Sequence, residues 1–134
     1  MLATETRVPI RSAEDIVLAR QAGRSLATEL GFEGGDVTLI AAAISEISRN
    51  IIEHAKCGEL ILRPENHGDR HGVCVVAHDD GPGIADVEQA MQYGYSSRRG
   101  LGVGLPGAKW LMDEFDIKSK VGVGTTITMK KWLP

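Results

Sequence analysis

The feature that most constrains this 134-residue chain is where its glycines fall. Asp79-Asp80-Gly81-Pro82-Gly83 follows an apolar run that reads as a strand. Gly100-Leu101-Gly102-Val103-Gly104 stands directly before a helical segment, and Gly122-Val123-Gly124 separates two short runs of strand character. A residue without a Cβ lets the backbone lie close to a flat ligand, or lets successive N–H groups point at one anion. Taken singly, the groups have plain alternatives: Asp80-Gly81-Pro82-Gly83 serves as a tight turn with proline at its second position, and Gly122-Val123-Gly124 as a hairpin turn.

The segments between them set the fold class. Residues 5–10 alternate and end near Pro9, as a short edge strand does. Ser12 and Asp15 make a capping-box pattern, with Asp in place of Glu or Gln. The helix that follows carries Ile16, Ala19, Ala22, Gly23, Leu26 and Leu30 at helical spacing and stops at Gly31. Asp36 is placed to cap a second helix with the stripe Ile40, Ala43, Ile44, Ile47 and Ile51, ending near residues 56–58. Residues 59–63 and 73–78 read as strands around a polar loop, 64–72, and residues 86–93 as a short helix. Residues 103–114 read as a third long helix with Pro106 in its first turn, where a missing N–H is harmless. Residues 115–120 and 125–132 form a final hairpin. Interspersed helices and strands, with hairpin-like pairs, point to one α/β domain over residues 1–134: a two-layer sandwich with a mixed sheet and helices on one face. Aromatics make up only 4% of the chain, so the core has to come from Ile, Leu, Val and Ala.

A net charge of −3 argues against a nucleic-acid binder that relies on a broad basic field. No run is long and apolar enough for a membrane span, and the first residues lack the apolar stretch of a secretory signal. The expectation is a cytoplasmic protein with neither membrane nor nucleic-acid partners. Cys57 and Cys74 are too few for a disulfide framework and are expected as reduced, buried thiols. Trp110 and Leu111 are expected to pack into the sheet, and Tyr93 and Tyr95 to line a hinge or a partner surface. His67 and His71, four apart in the polar loop, lack companions for a metal site.

A fourth constellation precedes the glycine groups. Glu46, Asn50 and His54 recur at every fourth residue of the second helix, on a face displaced from its apolar stripe. A solvated helix face is the plain reading. A carboxylate and an amide stacked this way also suit a base and a Mg²⁺ ligand, since hard cations take oxygen ligands. Asp79, at a strand end, is able to accept a hydrogen bond from an exocyclic amine such as that of adenine. Arg98 and Arg99 stand beside the second glycine group as candidate phosphate contacts, and the helix after it adds the partial positive charge of its N-terminus. Gly102-Val103-Gly104-Leu105-Pro106-Gly107 also fits a dinucleotide fingerprint, but it follows a long loop late in the chain instead of a first strand. No Gly-Lys-Ser/Thr occurs, so a Walker A loop is absent.

Together and in this order, the four constellations resemble those of the GHKL ATPases, the Bergerat-fold family that includes histidine-kinase catalytic domains, gyrase-type ATPases and anti-sigma-factor kinases. Glu46-x-x-x-Asn50 is similar to the N box, Asp79-x-Gly81-x-Gly83 to the G1 box, Gly100-x-Gly102-x-Gly104 to the G2 box and Gly122-x-Gly124-Thr125 to the G3 element. Within that family the chain resembles the RsbT-type serine/threonine kinases of bacterial stressosome signalling. Residues 44–51, 80–84, 100–107, 111–115 and 131–133 carry the closer match.

The resemblance implies ATP and Mg²⁺ as cofactors and assigns roles. Asp79 would accept the adenine amine, with Thr125 or Thr126 supporting it through water and Gly81 and Gly83 beside the base. Asn50 would ligate Mg²⁺. Gly100, Leu101, Gly102, Val103 and Gly104 would form a short lid over the phosphates. Glu46 would be the general base on the substrate hydroxyl, and Arg98 the cation at the transferred phosphate. It further implies STAS-domain proteins as substrates and a PP2C-type phosphatase regulator as the downstream partner. A histidine-kinase fragment would need a dimerising helical hairpin for which the chain has no room. A non-catalytic, ATP-dependent binding protein would have no need of Glu46.

Overall fold

The computed structural model describes residues 5–92 and 104–134. Five strands and four helices follow in the order β1 (Thr6–Ile10), α1 (Ala13–Leu30), α2 (Gly34–Ala55), β2 (Gly58–His67), β3 (Arg70–Asp79), α3 (Val87–Ala90), α4 (Gly104–Leu111), β4 (Glu114–Lys120) and β5 (Gly124–Trp132). The strands form one sheet in the order β1-β2-β3-β5-β4.

Every pairing in that sheet is antiparallel, where the sequence reading expects a mixed sheet. Connectivity explains the difference. A single helix between two strands returns the chain parallel, but two helices, α1 and α2, stand between β1 and β2 and reverse it once more. β3 and β4 do run the same way, yet β5 inserts between them and pairs with both.

Two apolar rows cross the inner face. Val8, Leu60, Ala77, Ile127 and Ile117 lie in register across the sheet, and beside them run Leu62, Val75, Met129 and Phe115. Ile40, Ile44, Ile47 and Ile51 of α2, with Ala19, Leu26 and Ala27 of α1, close over those rows in one core. Ile40, Ile44 and Ile47 are fully buried, each stabilising the fold by roughly 1.5–3 kcal/mol. The all-aliphatic stripe read from the sequence is therefore the core.

The helix ends are set locally. At Ser12, the Asp15 Oδ2 carboxylate oxygen accepts from the backbone N–H groups of Arg11 and Ser12 at 2.8 and 3.2 Å, the expected capping box. Gly31 ends α1 in the left-handed region at φ 104°, as expected. α2 begins earlier than the sequence reading has it: Glu33 is the N-cap, and Asp36 lies in the first turn, where a carboxylate favours the helix dipole.

Three other expectations are corrected. The polar segment 64–72 is not a loop, because β2 and β3 run on to His67 and Arg70 and turn at Gly68, φ 63°. Cys57 is exposed; only Cys74 is buried. Cys74 lies on the outer face, opposite Arg63 and Lys130 in register, and burial raises its pKa. Trp110 is 80% exposed on α4 and packs into no sheet, although Leu111 reaches the core edge.

Candidate nucleotide site

The alternation that builds the core also builds the site. One step beyond the apolar rows, the inner face continues as Asp79, Thr125 and Ser119, in register on β3, β5 and β4. Asp79 and Thr125 are each only 5% exposed. Asp79 Oδ1 accepts from the Gly81 N–H at 2.9 Å, and no cation pairs with this carboxylate among the described residues. A buried carboxylate with so few donors is costly in a dry site, so the position suits a ligand that supplies an N–H. Thr125 Oγ1 lies 2.7 Å from Ser119 Oγ, which also accepts from the Ile84 N–H at 2.7 Å. Ser119 thereby ties the turn after β3 to the β4–β5 hairpin. Nothing in the sequence pattern marks it; only the register of β4 against β5 does.

The glycines of these turns are needed for chain packing. A Cβ on Gly124 would lie 2.1 Å from the Asp79 carbonyl oxygen, and one on Gly83 would lie 2.3 Å from that of Lys120. A Cβ on Gly81 would meet Ala55 of α2 at 2.5 Å. The Gly122 N–H donates to the Pro82 carbonyl at 2.8 Å, so the two turns are stitched backbone to backbone. The absent Cβ atoms therefore let these turns and α2 close in beside Asp79.

Glu46 and Asn50 stand one helical turn apart on α2. The Glu46 side chain is 13% exposed and Asn50 is buried, whereas His54, the third of the series, is exposed. Glu46 Oε1 accepts from Arg49 Nη1 at 3.0 Å and from the Gly104 N–H at 3.1 Å. That second bond brings the start of α4 onto the N-terminal half of this polar series, and a carboxylate at a helix N-terminus is favourably placed. The structure therefore joins Glu46 to Gly104 on one side, and Asp79 to Gly81, Gly83, Gly124 and Thr125 on the other. Thr126 points to the opposite face of the sheet from Thr125 and does not join the inner row. Arg98, Arg99, Gly100, Leu101, Gly102 and Val103, with Tyr93 and Tyr95, lie outside the described residues. No cluster of three or more metal-ligating side chains from His, Cys, Asp and Glu occurs among the described residues. A Mg²⁺ ion held by an amide and by phosphate oxygens would not require one, and Asn50 offers such an oxygen.

A sheet with helices on one face, a polar helix series and a buried strand-end carboxylate define an ATPase-type nucleotide domain. The model of the histidine kinase-like ATPase domain matches residues 11–131, and the chain belongs to that family. It is 46% identical over 126 residues to the serine/threonine-protein kinase RsbT of Bacillus subtilis, covering 94% of this chain and 95% of that protein. It is 30% identical to an anti-sigma F factor of Thermoanaerobacter sp. over 86% of this chain and 83% of that one. A crystal structure of the RsbU and RsbW domains of a Mycobacterium tuberculosis protein superposes with a TM-score of 0.68 at 21% identity. That match covers 98% of this chain but 34% of the larger one, and it supports the fold alone. No helix among the described residues is long and apolar enough to cross a membrane.

Proposed function

We propose that this chain is an ATP- and Mg²⁺-dependent protein serine/threonine kinase that phosphorylates STAS-domain proteins in a partner-switching pathway. Released from them, it would activate a PP2C-type phosphatase regulator. One observation carries the reading: a chain 46% identical to a serine/threonine-protein kinase along nearly its whole length has a partly buried Glu46 one turn from a buried Asn50. A protein that only binds nucleotide has no need of that carboxylate.

Asp79 would select the base, and the bare backbone at Gly81 and Gly83 would lie along it. Asn50 would hold Mg²⁺, which when bound supplies charge neutralisation to the phosphates. Glu46 would accept the proton of the serine or threonine hydroxyl once that oxygen comes within hydrogen-bond reach. In the present arrangement Glu46 is shared by Arg49 and the Gly104 N–H. Gly100, Gly102 and Gly104 would cover the phosphates, and Arg98 would supply a cation there.

Incubation of a STAS-domain protein with this chain, ATP and Mg²⁺, followed by intact-mass analysis, tests the reading. One acid-stable phosphate per STAS domain is the expected product. ATP binding with no transfer to any STAS domain would leave the second reading, that of a nucleotide-dependent binding protein. The relatives named anti-sigma F factor favour that alternative. Retention of a sigma factor would then separate the two.

A further inference from the structure

The residues on either side of Asp79 are joined to each other by one imidazole. His78 points to the outer face of the sheet, where its Nδ1 lies 2.9 Å from Thr126 Oγ1 and its Nε2 lies 3.2 Å from Asp80 Oδ1. His78 and Thr126 are cross-strand partners in register, as Asp79 and Thr125 are one residue on. Asp79 is the last residue of β3, so after it no ladder pairing holds the chain. Its turn is instead held by the Gly122 N–H on the Pro82 carbonyl and by Ser119 bonding Ile84, and on the outer face by His78 reaching from Thr126 across to Asp80.

We propose that His78 is a positioning residue for nucleobase selection, a role that rests on the nucleotide reading of the Asp79 site. By tying Asp80 to β5, the imidazole fixes the peptide on each side of Asp79 and with it the direction of the buried carboxylate. That direction decides between bases. An exocyclic amine donates to the carboxylate, whereas guanine presents a carbonyl oxygen at the corresponding position, which repels it. A carboxylate free to rotate away relaxes both the attraction and the repulsion.

His78 is about half exposed and Asp80 largely so, which limits the strength of the link. Loss of the strut is expected to weaken ATP binding by roughly threefold and to lower the ATP-to-GTP preference by about the same factor. The turnover number should stay within about twofold, because His78 faces away from Glu46.

The test measures Kd for ATP and for GTP, with KM and kcat for ATP, on the wild-type protein, His78→Ala, Asp80→Ala and the double variant. The expected result is a raised Kd and KM for ATP, GTP binding no weaker than in the wild type, and a double variant no worse than either single one. His78→Asn, which keeps an amide near the Nδ1 position but cannot reach Asp80, should behave like His78→Ala. A general loss of stability would instead weaken ATP and GTP alike and lower kcat, and that outcome overturns the role. So would ATP affinity unchanged in His78→Ala, or effects that multiply in the double variant. Failure of the wild-type protein to bind ATP would strike the nucleotide reading itself.

Discussion

Glu46 and Asp79 are the two carboxylates of the proposed site, and their surroundings separate what each should do. Glu46 lies within α2 with two donors on one oxygen, while Asp79 is buried with a single backbone donor among the described residues. Replacing Glu46 with Gln keeps the shape and removes the base. Phosphotransfer should fall by at least about a hundredfold while ATP affinity stays within about threefold, measured by single-turnover transfer and by calorimetry. Replacing Asp79 with Asn exchanges an acceptor for an amide, and ATP affinity itself should fall by at least about tenfold. If Asp79→Asn binds ATP as the wild type does, the carboxylate does not read the base. As candidates, Glu46, Asn50 and Asp79 stand out in the sequence because helical spacing or a neighbouring glycine group marks them. Ser119 does not, since its part in the site arises from a pairing with Thr125 that no local pattern encodes. Gly83 and Gly124 are demanded by the close crossing of chain segments, which the sequence pattern does not reveal.

At the level of elements, helix ends are legible where a side chain bonds locally. Asp15 accepts two backbone N–H groups at the start of α1, and Asp15→Ala should cost about 1 kcal/mol in denaturant unfolding. The end of α2 offers the opposite case. Lys56 holds φ 70°, the one described non-glycine residue at positive φ, in a region that side chains avoid. Lys56→Gly should stabilise the protein by roughly 0.5–1 kcal/mol, the steric relief exceeding the added entropy of the unfolded chain. A lower melting temperature for this variant would mean that the lysine side chain has a stabilising contact of its own. Polarity alone does not mark a loop. Residues 64–72 are polar because the β2–β3 hairpin runs out to a solvent-exposed tip, and Glu65 there pairs with Lys130 at 3.3 Å. A strand wet on both faces has no apolar alternation to betray it.

For the whole molecule, the two-layer plan was legible from interspersed elements, but strand direction was not, because it depends on β5 entering between β3 and β4. One consequence of the layered core is a difference between the two thiols. Cys57 is exposed and should react with a thiol reagent at once. Cys74 is buried with its pKa raised, holds less thiolate at a given pH and should react only as the sheet opens. The slow phase should therefore accelerate with denaturant in step with unfolding, and two fast thiols in the native protein would contradict the packing of the outer face. Nucleotide linkage gives the wider test, because the proposed site draws on α2, on the turn after β3 and on the β4–β5 hairpin together. A ligand that binds only when these are assembled must stabilise the whole fold. ATP with Mg²⁺ at about a hundred times Kd should add about 2.7 kcal/mol, a rise of roughly 10 °C in melting temperature for a domain of this size. Glu46→Gln should retain that rise, since the base is not needed for binding. Asp79→Asn should lose most of it at the same nucleotide concentration. If both variants keep the full shift, the nucleotide is held by its phosphates alone; if both lose it, Glu46 belongs to the binding site and a different residue must take the hydroxyl proton.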